Sequence, residues 1–327
     1  MAVIRNTKIK DSFLKRSVLF FISGLLVAVT FGTSLAVLQN QKTFASPDEA
    51  VKAVLEALKS GDLKDLSNIF GPGSENLISS GDPVEDKADR ERFISLYQQK
   101  NKLEEANSTK AVLFIGNENW PFPIPIVKKD GTWLFDTNEG KEEIIARRIG
   151  RNELSVIQVC LAYVDAQKEY ATKDRDGDGV LEYAQKFSSE PGKKDGLYWN
   201  AKEGDEQSPL GPLVAAAQDM GYTGKKSGDK PVPYYGYYYR LLKGQGKDAA
   251  GGAYDYIVKG KMIGGFALIA YPAHYGSSGI MTFIVNHTGE VYQKDLGEKT
   301  EKTALTIKLF NPDSTWKKVE EKIAKGK

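Results

Sequence analysis

Residues Val18 to Leu38 form an uncharged, predominantly apolar run of 21 residues behind five cations: Arg5, Lys8, Lys10, Lys15 and Arg16. A run of that length can cross a hydrocarbon core of about 30 Å, and it is apolar on every face, which suits a soluble core helix poorly. A polar stretch follows and ends in Thr43-Phe44-Ala45, ahead of Ser46-Pro47. A basic flank, an apolar centre and small residues before a cut describe a secretory leader. Cleavage after Ala45 fits best, with Ala36 as a second position and an uncleaved anchor through residues 18–38 as the rival reading. Either way the basic flank stays inside. The remainder is expected to be periplasmic or otherwise extracytoplasmic, tethered to the inner membrane in the uncleaved case.

The leader also changes the charge of what remains. Of 45 basic and 43 acidic residues in the chain, six and one fall in residues 1–45, leaving 39 and 42, a net of −3. A basic nucleic-acid footprint is therefore not expected. Cys160 is the only cysteine, so no intrachain disulfide and no multi-cysteine zinc site can form. Its setting, Val159-Cys160-Leu161-Ala162, reads as a buried small hydrophobe.

Patterning predicts an α+β protein of two domains. Ser46-Pro47-Asp48-Glu49 opens a helix with a capping box and proline at its first position. Gly61-Asp62 interrupts it, a second helical stretch from Leu63 stops at Gly71-Pro72-Gly73, and a third runs from Asp82 to Lys100 with Phe93, Leu96 and Tyr97 inward. Strand signals follow at Lys110–Gly116, Trp120–Val127 and Thr132–Asp136, the last two joined by the turn Lys129-Asp130-Gly131. Prolines 121, 123 and 125 suit an edge or extended segment. A long helical stretch from Glu142 to Lys173, with Gly150 as a break, marks the expected boundary between domains at 46–148 and 149–318; a charged tail occupies 319–327. Later strands are expected at Tyr235–Leu242, Tyr254–Val258, Gly265–Tyr271, Ile280–Asn286 and Val291–Lys294, with Asn286-His287-Thr288-Gly289 as a hairpin turn.

On Glu49–Leu58 with Gly61-Asp62, and on Pro123–Val127 through Gly131–Asp136, the first half resembles the nuclear-transport-factor-2-like or cystatin-like cone fold. That resemblance implies a curved antiparallel sheet wrapping a helix. The second half resembles the exported domain of type IV pilins and pseudopilins. The carriers are Ala166–Tyr170, Tyr183-Ala184-Gln185, Gly196–Trp199, Gly236–Tyr239, Ala270-Tyr271-Pro272 and Thr282–Asn286 with Gly289 and Val291-Tyr292. It implies a helix packed on an antiparallel sheet, although Val18–Leu38 lacks the acidic residue that follows a pilin's processing site. Across 46–318 the chain resembles an uncharacterised exported bacterial family, domain of unknown function 2950, on Ser79–Pro83, Ile149–Glu153, Asp174–Ala184 and Gly264–Leu268.

The sharpest local motif is Asp174-Arg175-Asp176-Gly177-Asp178-Gly179-Val180-Leu181-Glu182. Carboxylates at loop positions 1, 3 and 5, a glycine at 6 and a backbone carbonyl at 7 are the donor pattern of a calcium loop. Asp174, Asp176, Asp178 and Val180 fill the ligand slots and Glu182 stands ninth, while the twelfth carries Gln185 where a bidentate carboxylate is usual. Weak calcium binding that clamps a helix-to-sheet junction is the expectation, and a metal-free Asp/Gly turn is the alternative.

His274 and His287 are the only imidazoles. His274 precedes Ser277 and Ser278 in a loop, which raises a hydrolase as an alternative, but a triad needs an orienting carboxylate and no Gly-x-Ser-x-Gly elbow occurs. Tyr235, Tyr237 and Tyr239 would share one strand face, for glycan or peptide stacking or for cross-strand pairing. The reading is an exported, non-enzymatic binding or assembly module with an envelope protein or ligand as partner and no assigned catalytic residue. A periplasmic hydrolase and a membrane-tethered accessory of a secretion or pilus system are the alternatives.

Overall fold

The computed structural model describes residues 41–202, 204–222 and 232–320; the leader run and most of the expected tail lie outside them. Helix α1 (Pro47–Ser60) begins where the sequence predicts: Ser46 Oγ accepts the Glu49 amide, Glu49 returns its carboxylate to the Ala45 amide, and Gly61 closes the helix at φ 71°. Asp62 caps α2 (Leu63–Phe70), which is followed by the single turn α3 (Glu75–Ile78) and by α4 (Pro83–Gln99), capped by Asp82. Such side-chain caps satisfy amide donors that the first helical turn leaves unpaired.

A five-stranded antiparallel sheet follows: β1 (Asn101–Asn107), β2 (Lys110–Ile115), β3 (Trp120–Pro121), β4 (Ile126–Lys129) and β5 (Thr132–Phe135), in the order β1-β2-β4-β5 with β3 also on β2. Strand β1 was not expected. It is almost wholly exposed and carries Lys102, Glu104 and Glu105 in place of apolar alternation, a charged composition common on sheet edges. The β4–β5 turn places Asp130 and Gly131 at φ 51° and 84°, the left-handed pair of a tight hairpin.

Helix α5 (Thr137–Tyr170) is 34 residues long and runs unbroken through Gly150 and the 148/149 boundary. One glycine costs a helix roughly 1 kcal/mol relative to alanine, which packing along the rest of α5 outweighs. Beyond it come α6 (Gly211–Asp219), then β6 (Tyr237–Leu242), β7 (Gly244–Gln245), β8 (Tyr254–Asp255), β9 (Ile257–Val258), β10 (Lys261–Met262), β11 (Ala267–Pro272), β12 (Met281–Asn286), β13 (Val291–Asp295), α7 (Thr300–Thr306) and β14 (Lys317–Lys318). The second large sheet is antiparallel in the order β14-β13-β12-β11-β6, with β7–β8 and β9–β10 as separate two-stranded pairs. The molecule is α+β.

Buried apolar side chains form two clusters. One draws on residues 44–135, including Ile69, Ile115, Ile124 and Phe135; the other draws on 156–319, including Tyr163, Phe266, Ile269 and Phe283. Between them, polar side chains of α5 reach both ways. Arg148 donates to the carbonyls of Asn76 and Leu77, while Asn152 donates to Ser278 O and Glu153 accepts the amides of Ile280 and Met281.

Candidate functional site

Helix α4 has no fully buried apolar side chain; its only buried residues are Glu85 and Asp86. Phe93 and Leu96 point inward as predicted but stay half-buried, because the space they face is a cavity of about 690 Å³. Its walls come from α1, α2, α3, α4, the β2–β3 region and α5, and Leu58, Phe93, Leu96, Trp120 and Ile144 give it an apolar lining. Volumes of roughly 300–1,000 Å³ with apolar walls and a few polar groups are typical of small-molecule sites.

Half of the charged and amide side chains are arginines. Arg90, Arg92, Arg147, Arg148 and Arg151 line the cavity against three carboxylates, Asp86, Asp89 and Glu118. Asp86 is spent on Ser79 Oγ and the Ser80 amide. Asp89 is shared: Arg92 at 2.8 Å, Arg151 at 2.7 Å and the Arg148 Nε at 3.8 Å. Arg147 pairs with Glu143 and lies over the Trp120 ring at 5.0 Å. Arg148 is 5% exposed, and burial, opposed by Asp89 and Asp86, pulls its guanidinium below the usual range. Two buried N–H groups of lining residues, Trp120 Nε1 and Arg148 Nε, lack an acceptor among the described residues. Such groups each forgo about 1–3 kcal/mol.

A second cluster lies where the N-terminus of α4 meets the Tyr-rich turn. Asp82 accepts the Tyr222 hydroxyl at 2.7 Å and the Gly236 amide at 2.9 Å. Burial raises the pKa values of both Asp82 and Glu85, and the Asp82 charge adds to the effect on Glu85. Gly236 stands at φ 70°, where a Cβ would lie 2.8 Å from the Ser278 Cβ. Tyr235 falls in this turn at φ 51° and not on the strand face expected for it. Tyr237 is buried against Phe283, and Tyr238 stands opposite Tyr271 as a cross-strand pair.

In the Asp-rich loop, carboxylate oxygens of Asp174, Asp176 and Asp178 lie within 4.8 Å of one another. Asp174 accepts the amides of Gly177 and Gly179, and Asp178 accepts that of Val180. Lys261, at the start of β10, sets its ammonium 2.8 Å from Asp176, 2.5 Å from Asp178 and 3.4 Å from Glu182. Glu182 thus meets the aspartates through a lysine, and the Gln185 amide donates to Gly260 O at 2.7 Å. The charge of Lys261 opposes that of the loop in the place where a cation was expected.

The serines of the His274 loop bond to backbone. Ser278 Oγ accepts the His274 amide and donates to the His274 carbonyl, while Ser277 Oγ donates to the carbonyls of Asn76 and Ser79. The imidazole packs on Gly81, where a Cβ would fall 1.9 Å from its Cδ2. No hydroxyl–imidazole hydrogen bond forms in this loop among the described residues. Cys160 is buried and its thiol is pushed up to about 12, so thiolate chemistry is closed to it near neutral pH.

The arginines around the cavity and Lys261 belong to no sequence motif. A signal existed for the first: Arg147, Arg148 and Arg151 interrupt an otherwise isoleucine-rich helical face. Lys261 stands 85 residues after Asp176 and carries no local mark.

Fold and site together define an α+β protein with one spanning helix and an arginine-rimmed hollow in its first core. Residues 41–319 match the family described as Protein of unknown function (DUF2950), and the chain belongs to that family. No curated protein and no solved structure matches the chain. Among the described residues no helix is long and apolar enough to cross a membrane.

Proposed function

We propose that this chain is an exported, non-enzymatic module of the cell envelope that binds a small apolar molecule. The observation that carries the reading is the 690 Å³ cavity walled by half-buried Phe93, Leu96 and Trp120. Apolar walls left facing such a space forfeit dispersion contacts that an apolar ligand restores. Export rests on the cations and apolar run ahead of residue 45. A dye test addresses the binding: the uncharged probe N-phenyl-1-naphthylamine should brighten on the purified protein, and Leu96→Trp, which narrows the hollow, should weaken the signal while the circular dichroism stays native. Absence of any dye response in the unaltered protein would end the reading. Recovery of the full-length chain as a free cytosolic protein would end the export half.

We also propose that millimolar Ca²⁺ competes with the Lys261 ammonium for Asp174, Asp176 and Asp178. Their convergence within 4.8 Å supports this, and the bound lysine implies a weak site, of the order of 10⁻⁴–10⁻³ M as in extracellular modules.

A further inference from the structure

We propose that the ligand of the arginine-rimmed cavity is an amphipathic monocarboxylate: a long hydrocarbon tail in the hollow and one carboxylate on Arg147 and Arg151. The proposal rests on the binding-module reading above and adds the chemistry of the ligand.

The tail follows from the walls. Leu58, Phe93, Leu96 and Ile144 offer no hydrogen bond to a polar chain, and polar groups buried without partners are costly. A sugar or peptide segment would leave its own donors and acceptors unsatisfied there. A flexible hydrocarbon has none to lose and gains in proportion to the apolar area it buries.

The head follows from the rim. Among the lining residues, Arg92, Arg147 and Arg151 are 50%, 46% and 46% exposed, so they mark the side of the cavity that meets solvent. The five lining arginines, Arg90, Arg92, Arg147, Arg148 and Arg151, outnumber the carboxylates Asp86, Asp89 and Glu118 even with Glu143 beside Arg147, which leaves the cavity with more positive than negative charge. A guanidinium's planar fork matches a carboxylate in two parallel hydrogen bonds. Arg148 is committed to the carbonyls of Asn76 and Leu77 and serves as wall and brace. Arg147 and Arg151, one helical turn apart on α5, hold exposed ion pairs with Glu143 and Asp89, a kind worth under about 1 kcal/mol, so a ligand carboxylate can compete for both guanidiniums. A polyanion is disfavoured, because Asp89 and Glu118 also line the site and would repel added negative charge.

Titration calorimetry of the full-length protein with dodecanoate, dodecanol, hexanoate and dodecyltrimethylammonium tests the proposal. Dodecanoate should bind at one site, at least about tenfold tighter than dodecanol, as expected for a charge-assisted pair. Hexanoate should bind weaker by on the order of a thousandfold, from six fewer buried methylenes. Arg147→Gln with Arg151→Gln should bring dodecanoate down to the affinity of dodecanol while the uncharged dye still binds, which shows that the cavity is intact. Leu96→Trp should weaken both amphiphiles. Equal affinities for acid and alcohol, tighter binding of the cationic amphiphile, or an unaltered dodecanoate affinity in the double variant would each overturn the anion assignment and leave the binding module standing. A dodecanoate affinity unchanged by Leu96→Trp would overturn the placement of the tail. Failure of the dye and every amphiphile together would sink the underlying reading instead.

Discussion

Around β11 and β12, Phe266, Leu268, Ile269, Phe283 and Ile284 show no exposed surface, and Tyr163 of α5 closes against Phe266 at 5.6 Å. Around α4, Phe93 and Leu96 remain half-exposed over a 690 Å³ hollow. One helix serves both regions. From Val156 to Val164 its inward face is continuous: Val156, Ile157, Cys160, Tyr163 and Val164 recur at helical spacing and are buried. In the turns just before it, Arg147, Arg148 and Arg151 interrupt Ile144, Ile145 and Ile149. Charge cannot fill a core, so the same rod that seals one side leaves the other open. Space in the first half is thus a property of side-chain choice on α5 and α4, within a backbone that packs densely elsewhere.

The contrast breaks most visibly by truncation. Phe283→Ala should lower unfolding stability by about 3–5 kcal/mol, whereas Phe93→Ala should cost under about 1.5 kcal/mol because much of its ring already faces empty space. Urea titrations of both variants measure this, and equal losses would mean that the first core is not hollow in solution.

Acidity should separate the regions next. His287 packs on Tyr256 and Phe266 with its Nδ1 unpartnered, and burial, assisted by Lys168, lowers its pKa. Its neutral form is favoured in the fold, so its stabilisation is full above pH about 6.5 and is lost as pH falls from there through the lowered folded value. Asp82 and Glu85 act in the opposite sense. Their raised pKa values make the protonated fold the favoured one, a contribution present below pH about 4 and lost as pH rises through the folded values. Each slope is at most about 1.4 kcal/mol per pH unit. Thermal melts across pH 4–8 should show His287→Phe flattening the limb just below pH about 6.5 and Asp82→Asn flattening the one above pH about 4. A profile unchanged by either would refute the assignment.

The smallest effect belongs to the surface loop. With 1 mM Ca²⁺, Lys261→Met should gain about 0.4–1.4 kcal/mol over the metal-free variant, and Asp176→Ala should remove the response. Melting curves indifferent to Ca²⁺ in the unaltered protein and the lysine variant alike would exclude the loop as a cation site.

Much of the frame was legible locally. Ser46, Gly61, Asp62 and Asp82-Pro83 mark helix ends that the structure keeps, and Asn286–Gly289 turns β12 into β13 as expected. These signals work because caps and tight turns satisfy backbone groups within a few residues. Strand β1 escaped notice since its stability comes from pairing with β2 and not from an apolar face. The break expected at Gly150 failed because tertiary bonds from Arg148, Asn152 and Glu153 hold the helix through it. The three aspartates were found from spacing, but their counter-charge came from a distant hairpin. The hollow could not be read at all: an empty volume is set by how far apart walls stand, which no local pattern records.

Because α5 lends a face to both cores and Arg148, Asn152 and Glu153 fasten it to each, its middle turns cannot open without breaking contacts on both sides. Backbone amides there should trade protons for deuterons only in rare, global opening events. Occupancy of the hollow would then register as slower deuterium uptake far away, along β11 and β12, without any displacement of those strands.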